Sequence, residues 1–263
     1  SDGHLMTARG NRVRAIIPVH LFGLSCAMEP LYDAAQAYRL TIIEHAAQAI
    51  GAECLFRDKR SQAGTIGEAA IFSFFPTKNL GAAGDAGMAV CRDEWLAKQL
   101  RLIRNHGMEK GYLHPTVGGN FRLDAIQAAV LHAKLPFVQT WNDARRRNAS
   151  LYVAALADLH DVKLPSEPWK QTGLANHHTW HQFVIRAKRR DELLREFRGG
   201  LYAFDIVMDI GAYRDLHRHR RCQLRALGHY GDHHGEHHGG HRDSGDHRSR
   251  QGVRRDDGWV GEQ

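Results

Sequence analysis

Long apolar runs are missing from this 263-residue chain. None approaches the roughly 20 residues that a bilayer-spanning helix needs. The opening SDGHLMTARG also lacks the apolar segment of a secretory signal. The expectation is a cytoplasmic protein that does not enter a membrane. Cysteine is scarce: Cys26, Cys54, Cys91 and Cys222 lie far apart without a CxxC pair, so neither a disulfide framework nor a cysteine zinc site is suggested. Clustered charge is missing too. Lys and Arg total 36 against 29 acids, a net +7, yet the segment from residue 212 onward holds ten Arg and eight acids, so the excess is spread along the chain. A stripe that tracks a nucleic-acid backbone is therefore not expected.

What is present is an ordinary globular balance, 43% hydrophobic and 25% charged, which permits a sizeable core. Up to about Arg198 short β-branched runs alternate with amphipathic stretches, the rhythm of an α/β protein with a mixed sheet. VRAIIPVHLFG, TIIEH, AAIFSFF and GMAVC read as strands, and HHTWHQFVIRA as another. MEPLYDAAQAYRL, DEWLAKQLRLIRNHG and RRDELLREFR read as helices. A long helical stretch from Arg122 to Leu156 carries Pro136, which should kink or divide it. Beyond Arg198 the pattern fails. The Arg/His/Gly/Asp-rich remainder holds about half of the 19 histidines and too few aliphatics to offset its conformational entropy, so disorder is expected. His233, His234, His237, His238 and His241 have loose metal-ligand spacing, but Gly235, Gly239 and Gly240 oppose the helix that would align them, and no metal site is assigned.

One stretch invites chemistry: FSFFPTKNLGAAGDAG, residues 72–87, sets Lys78 between an aromatic run and a glycine-rich turn. Lys78 is either an ordinary loop lysine or an amine held in a pocket for Schiff-base formation, which requires desolvation or a positive neighbour to shed its proton. Phe72, Phe74 and Phe75 can supply dry walls, Pro76 ends the strand, and Gly81, Gly84 and Gly87 permit close approach of a cofactor or another backbone. Ser73 can donate a hydrogen bond to a phosphate.

In order along the chain, AIIPVHLFG, IIEHAAQAIGAE, FSFFPTKNLGAAGDAGMAV, LIRNHGMEKGYLH, GGNFRLDAIQAAVLHAKL and TWHQFVIR resemble the DegT/DnrJ/StrS family of pyridoxal-phosphate sugar aminotransferases over nearly all of residues 12–198. The resemblance implies an α/β fold, the three-layer, mostly parallel sheet of the type I aminotransferases, here incomplete at both ends. It implies that 1–135 are the C-terminal part of the large cofactor-binding domain, 136–198 the linking helix and start of the small domain, and 199–263 an atypical tail. It further implies a homodimer with shared active sites, a nucleotide-linked keto-sugar as substrate and glutamate or glutamine as amino donor. Lys78 is similar to the lysine that holds pyridoxal 5'-phosphate and then moves the proton between substrate carbon and cofactor. Ser73 is similar to the phosphate-binding serine, Gln48 to the glutamine at the pyridine hydroxyl, and Asn120 to the asparagine that reaches the neighbouring subunit's phosphate. A lysine rather than a histidine at 78 points to transamination over dehydration.

Three departures qualify that likeness. His45 stands where the family has an aspartate that pairs with the protonated pyridine nitrogen. A neutral imidazole is a poorer partner for a pyridinium and a charged one repels it, so weakened transamination is expected. Glu44, one residue earlier, should face the other way along a strand and not substitute. About a hundred residues that usually precede IIPVH do not occur here, so the chain reads as a fragment. From about Gly199 the small-domain pattern dissolves, which suggests a shifted reading frame. Two alternatives to an active enzyme remain: a silent cofactor-binding or partner protein of the same fold, and a non-functional gene fragment.

Overall fold

The computed structural model describes residues 4–192. In chain order the strands are β1 (Ala15–Ile16), β2 (Thr41–His45), β3 (Glu53–Phe56), β4 (Lys59–Gln62), β5 (Ala69–Ser73), β6 (Gly87–Cys91), β7 (Val162–Lys163) and β8 (Arg186–Ala187). The helices are α1 (Met28–Tyr38), α2 (Glu94–Arg104), α3 (Ala125–Lys134) and α4 (Val138–Leu156). A four-stranded sheet in the order β1-β2-β5-β6 forms the centre. β1, β2 and β5 run parallel and β6 antiparallel to β5. The fold class read from the sequence is thus the one observed.

Each element has a local cause. α1 turns Met28 and Ala35, seven residues apart, onto β2, where they join Leu40, Ile42, Cys54 and Ile66 in the main core cluster. α2 begins at Asp93, whose carboxylate accepts the Leu96 N–H at 2.6 Å, and ends with Arg101 and Arg104 over its exposed carbonyls. Pro136 divides the long helical stretch as expected: Leu135–Phe137 is a 3-10 turn between α3 and α4. The proline lacks an N–H and its ring crowds the preceding turn.

Two expected strands are corrected in detail, and one hairpin is added. The strand expected over 13–23 keeps only Ala15–Ile16, because Pro18 cannot donate to the ladder. Pairing with β2 resumes only around the Val19–His45 bridge. The 177–187 stretch contributes a strand only at its end. Its earlier part lies beside residues 22–24, where the Thr179 N–H meets the Gly23 carbonyl at 2.9 Å. The β3–β4 hairpin was not anticipated: its two turn residues, Arg57 and Asp58, have φ of 50° and 58°, a conformation usually marked by Asn-Gly. The helix expected over 189–198 and the tail lie largely or wholly outside the described residues.

Candidate active site

β1, β2 and β5 end on one edge of the sheet, the edge where open α/β sheets gather ligands. His45 closes β2 opposite Ile71 of β5, and the next residue, Ala46, donates its N–H to the Ile71 carbonyl at 2.9 Å. Ser73 ends β5 two residues further on, and the Lys78 loop follows it directly. His45, Gln48, Ser73 and Lys78 therefore all belong to segments leaving these two adjacent strand ends.

Strand alternation sets the faces of β2. Ile42 and Glu44 are buried and His45 lies on the other side. Glu44 accepts His20 Nε2 at 2.9 Å and the backbone N–H groups of Gly64 at 2.7 Å and of Ile66 and Gly67 at 2.6 Å each. Burial alone would push its carboxyl up, but His20 and these three amides hold it below the ordinary carboxylate value. On its other side the His20 ring accepts the Cys26 N–H at Nδ1, 3.1 Å away, so the ring proton sits on Nε2 and points at Glu44. Glu44 is fully occupied beneath the sheet and cannot replace a carboxylate at position 45. His45 has an unmet need instead: its Nδ1 is inaccessible to solvent and has no hydrogen-bond partner among the described residues.

Gln48 accepts the Phe22 N–H at Oε1, 2.7 Å away, which leaves its NH2 as the end that can meet a ligand oxygen. Ser73 Oγ accepts the Phe75 N–H at 3.3 Å, so its hydroxyl proton can be donated elsewhere. Lys78 is half-buried, and its N–H closes a turn onto the Phe75 carbonyl at 2.9 Å. The rest of the loop is pinned from both sides. Ala82 donates to the Phe74 carbonyl at 2.8 Å, Gln127 of α3 accepts the Ala83 N–H at 2.8 Å, and Lys134 Nζ meets the Gly81 carbonyl at 2.5 Å. Gly81 lies against the Pro76 carbonyl with no room for a Cβ, so the close approach foreseen at this glycine is to backbone. Two rings of the aromatic run are placed by packing: Phe74 is core, packed with Leu80, Ala82 and Leu131, and Phe72 packs against that cluster. These two rings form a floor under the loop.

Asn120 is held by a different part of the chain. It pairs with Asn105 just past α2, is exposed, and accepts the Arg122 N–H at 3.4 Å. The sequence reading missed a buried polar cluster beside Lys78. Asn79 Nδ2 donates to Asn142 Oδ1 and to the Thr179 carbonyl, both at 2.8 Å, and His181 Nδ1 meets Asn79 Oδ1 at 3.1 Å. Its only sequence signals were an asparagine next to the lysine and the run NHHTWHQ in a supposed strand. Among the described residues no three His, Cys, Asp or Glu gather as a metal site, and no helix is long and apolar enough to cross a membrane.

A sequence model described as the DegT/DnrJ/EryC1/StrS aminotransferase family matches residues 5–219. The UDP-N-acetyl-3-dehydro-α-D-glucosamine 3-aminotransferase of Acidithiobacillus ferrooxidans is 45% identical over 180 residues, 68% of this chain and 46% of that protein. The crystal structure of S. venezuelae DesV in complex with a ketimine intermediate superimposes with a TM-score of 0.62 at 42% identity, over 72% of this chain and 48% of that one. NtdA from Bacillus subtilis, solved with bound cofactor PMP, gives a TM-score of 0.58 at 29% identity, over 68% of this chain and 39% of that one. The chain spans about half the length of the curated relatives it matches.

Proposed function

The chain belongs to the DegT/DnrJ/EryC1/StrS aminotransferase family, whose cofactor is pyridoxal 5'-phosphate, and from that premise we propose that it acts in transferring an amino group from glutamate or glutamine to a nucleotide-linked keto-sugar in the cytoplasm. Residues 1–135 are then the cofactor-binding part, 136–198 the linking helix and the start of a second domain. The observation that carries this reading is the convergence of His45, Gln48, Ser73 and the Lys78 loop at the ends of adjacent parallel strands.

The residues present fit the cofactor. Ser73 has a hydroxyl proton to offer a phosphate, Gln48 an NH2 to offer the ring hydroxyl, and the partnerless buried Nδ1 of His45 suits a ring nitrogen. Lys78 would hold the carbonyl carbon through its amine. Bound pyridoxal phosphate supplies an electron sink for the charge left when a Cα proton departs. The Lys78 amine would take up that proton and give it back, acting as base and then acid. Asn120, on its exposed segment, would reach the cofactor of a second subunit in a homodimer.

His45 sets the strength of that sink. An aspartate there keeps the ring nitrogen protonated by charge pairing, whereas an imidazole offers no negative charge and leaves the nitrogen largely unprotonated. His45 also favours a second reading, a protein that binds the cofactor but turns it over poorly or not at all. One experiment separates these. The 263-residue chain is loaded with pyridoxal phosphate, reduced with borohydride and peptide-mapped, and single-turnover bleaching by glutamate is followed in wild type and His45→Asp. The label is expected on Lys78, absent in Lys78→Ala, with faster bleaching in His45→Asp. Label elsewhere or nowhere overturns the cofactor role of Lys78. An unchanged rate in His45→Asp overturns the impairment. Label without any bleaching in either protein selects the silent binder.

A further inference from the structure

We infer that Asn79, Asn142 and His181 are positioning residues that fix the direction of the Lys78 amine and tie it to Gln48. The inference rests on the cofactor-holding role proposed for Lys78. Asn79 is the next residue along the chain and is buried. Both of its amide hydrogens and its oxygen are used: Nδ2 toward Asn142 Oδ1 and the Thr179 carbonyl, Oδ1 toward His181 Nδ1. Because an amide oxygen only accepts, His181 donates from Nδ1 in that bond. Rotating the Asn79 side chain would strand three buried polar groups at once, and a buried polar group left without its partner is costly. The peptide between residues 78 and 79 is thereby held in one orientation, and the lysine stem starts from a fixed direction.

Asn142 makes the case sharper. It is 1% exposed in the second turn of α4, a place where a buried side chain is better apolar unless the polar one has a partner to meet. Its Oδ1 meets Asn79. The segment that brings Thr179 and His181 is itself anchored: the Thr179 N–H reaches the Gly23 carbonyl at 2.9 Å, and Arg145 of α4 donates to the carbonyls of Trp180 at 3.3 Å and His181 at 3.4 Å. Phe22, next to Gly23, donates its N–H to Gln48. A continuous path of hydrogen bonds and adjacent residues thus runs from Gln48 through Phe22 and Gly23 to Thr179, Asn79 and Lys78. Reacting groups tolerate displacements of only about half an ångström. This path holds two of the proposed cofactor contacts to one frame.

The test uses the full chain and two variant pairs. Asn142→Ala removes the acceptor for Asn79, while Asn142→Asp keeps a carbonyl-type oxygen there. His181→Leu removes the donor, while His181→Asn keeps an N–H near the Nδ1 position. Two quantities are read: the pH midpoint of Lys78 acetylation by trace acetic anhydride in the cofactor-free chain, and the yield and pH midpoint of the visible band after loading with pyridoxal phosphate. Asn142→Ala and His181→Leu are expected to shift both midpoints and to lower the yield roughly fivefold or more, with circular dichroism still showing a folded chain. The Asp and Asn variants should restore wild-type behaviour. If Asn142→Ala does not fold, the His181 pair decides. Midpoints and yields unchanged in both disruptive variants overturn the inference. Should wild type carry no label at Lys78, the cofactor reading fails by itself, and the acetylation midpoints alone still support or overturn the positioning role.

Discussion

Single side chains in this fold carry strong pH dependence when they are buried without charge. His178 is 2% exposed, stacks on Trp180 with ring centroids 3.8 Å apart, and accepts the Trp180 N–H at Nδ1, 2.9 Å away. Burial lowers its pKa to about 4, with Glu167 opposing slightly and His177 assisting. The unfolded chain binds a proton near pH 6.5 and the folded chain does not, so stability is complete above that pH and falls as the pH drops toward 4. The loss approaches about 3 kcal/mol over that window. In His178→Asn, whose amide oxygen can accept the same N–H, urea midpoints measured from pH 7.5 to 4.5 should lose much of this slope; an unaltered slope refutes the assignment. At this scale the candidate site was partly legible. Lys78 and Ser73 stand in one short contiguous motif whose residue types invite chemistry, whereas Gln48 and His45 were singled out only through the family resemblance, and the structure places all four on segments leaving adjacent strand ends. Asn142 and His181 were not legible, because their partner Asn79 is 63 and 102 positions away.

Elements meet tightly where the 178–182 segment passes residues 22–24, and one glycine makes this possible. Gly23 has φ of +98°, and a Cβ added there would lie 2.6 Å from Thr179 Oγ1 and 2.9 Å from the backbone nitrogens of Trp180 and His181. Gly23→Ala is expected to lower unfolding stability by about 2–4 kcal/mol, combining left-handed backbone strain with overpacking. Equilibrium urea denaturation checks it, and a loss below half a kilocalorie would show that the two segments can part cheaply. The same contact explains why the 177–182 part of the expected strand is not one in the structure: its polar groups are spent on residues 22–24, Asn79 and Arg145 rather than on a sheet ladder. α1, α2, β2 and β6 were legible because their period, caps and boundaries are local. The β3–β4 hairpin was not, since Arg57 and Asp58 adopt left-handed turn geometry without the residue types that announce it.

For the molecule as a whole, the described residues expose an apolar set in one stretch of sequence: Tyr112 at 97%, Val117 at 93%, and also Leu113, Phe121 and Ile126. Asn120 lies among them. If a second copy covers this stretch, as the proposed homodimer with shared sites requires, then Val117→Asp combined with Phe121→Asp should convert dimer to monomer in sedimentation velocity. Wild-type chain that sediments as a monomer at every concentration would exclude the arrangement. The long reach of the Asn79 bonds also has a meaning in time. Nascent chain grows at about 5–20 residues per second. Thr179 and His181 follow Asn79 by 100 and 102 positions. On the ribosome Lys78 therefore waits on the order of ten seconds before these anchors exist, so capture of vitamin B6 by the amine proposed to hold it cannot precede the appearance of His181.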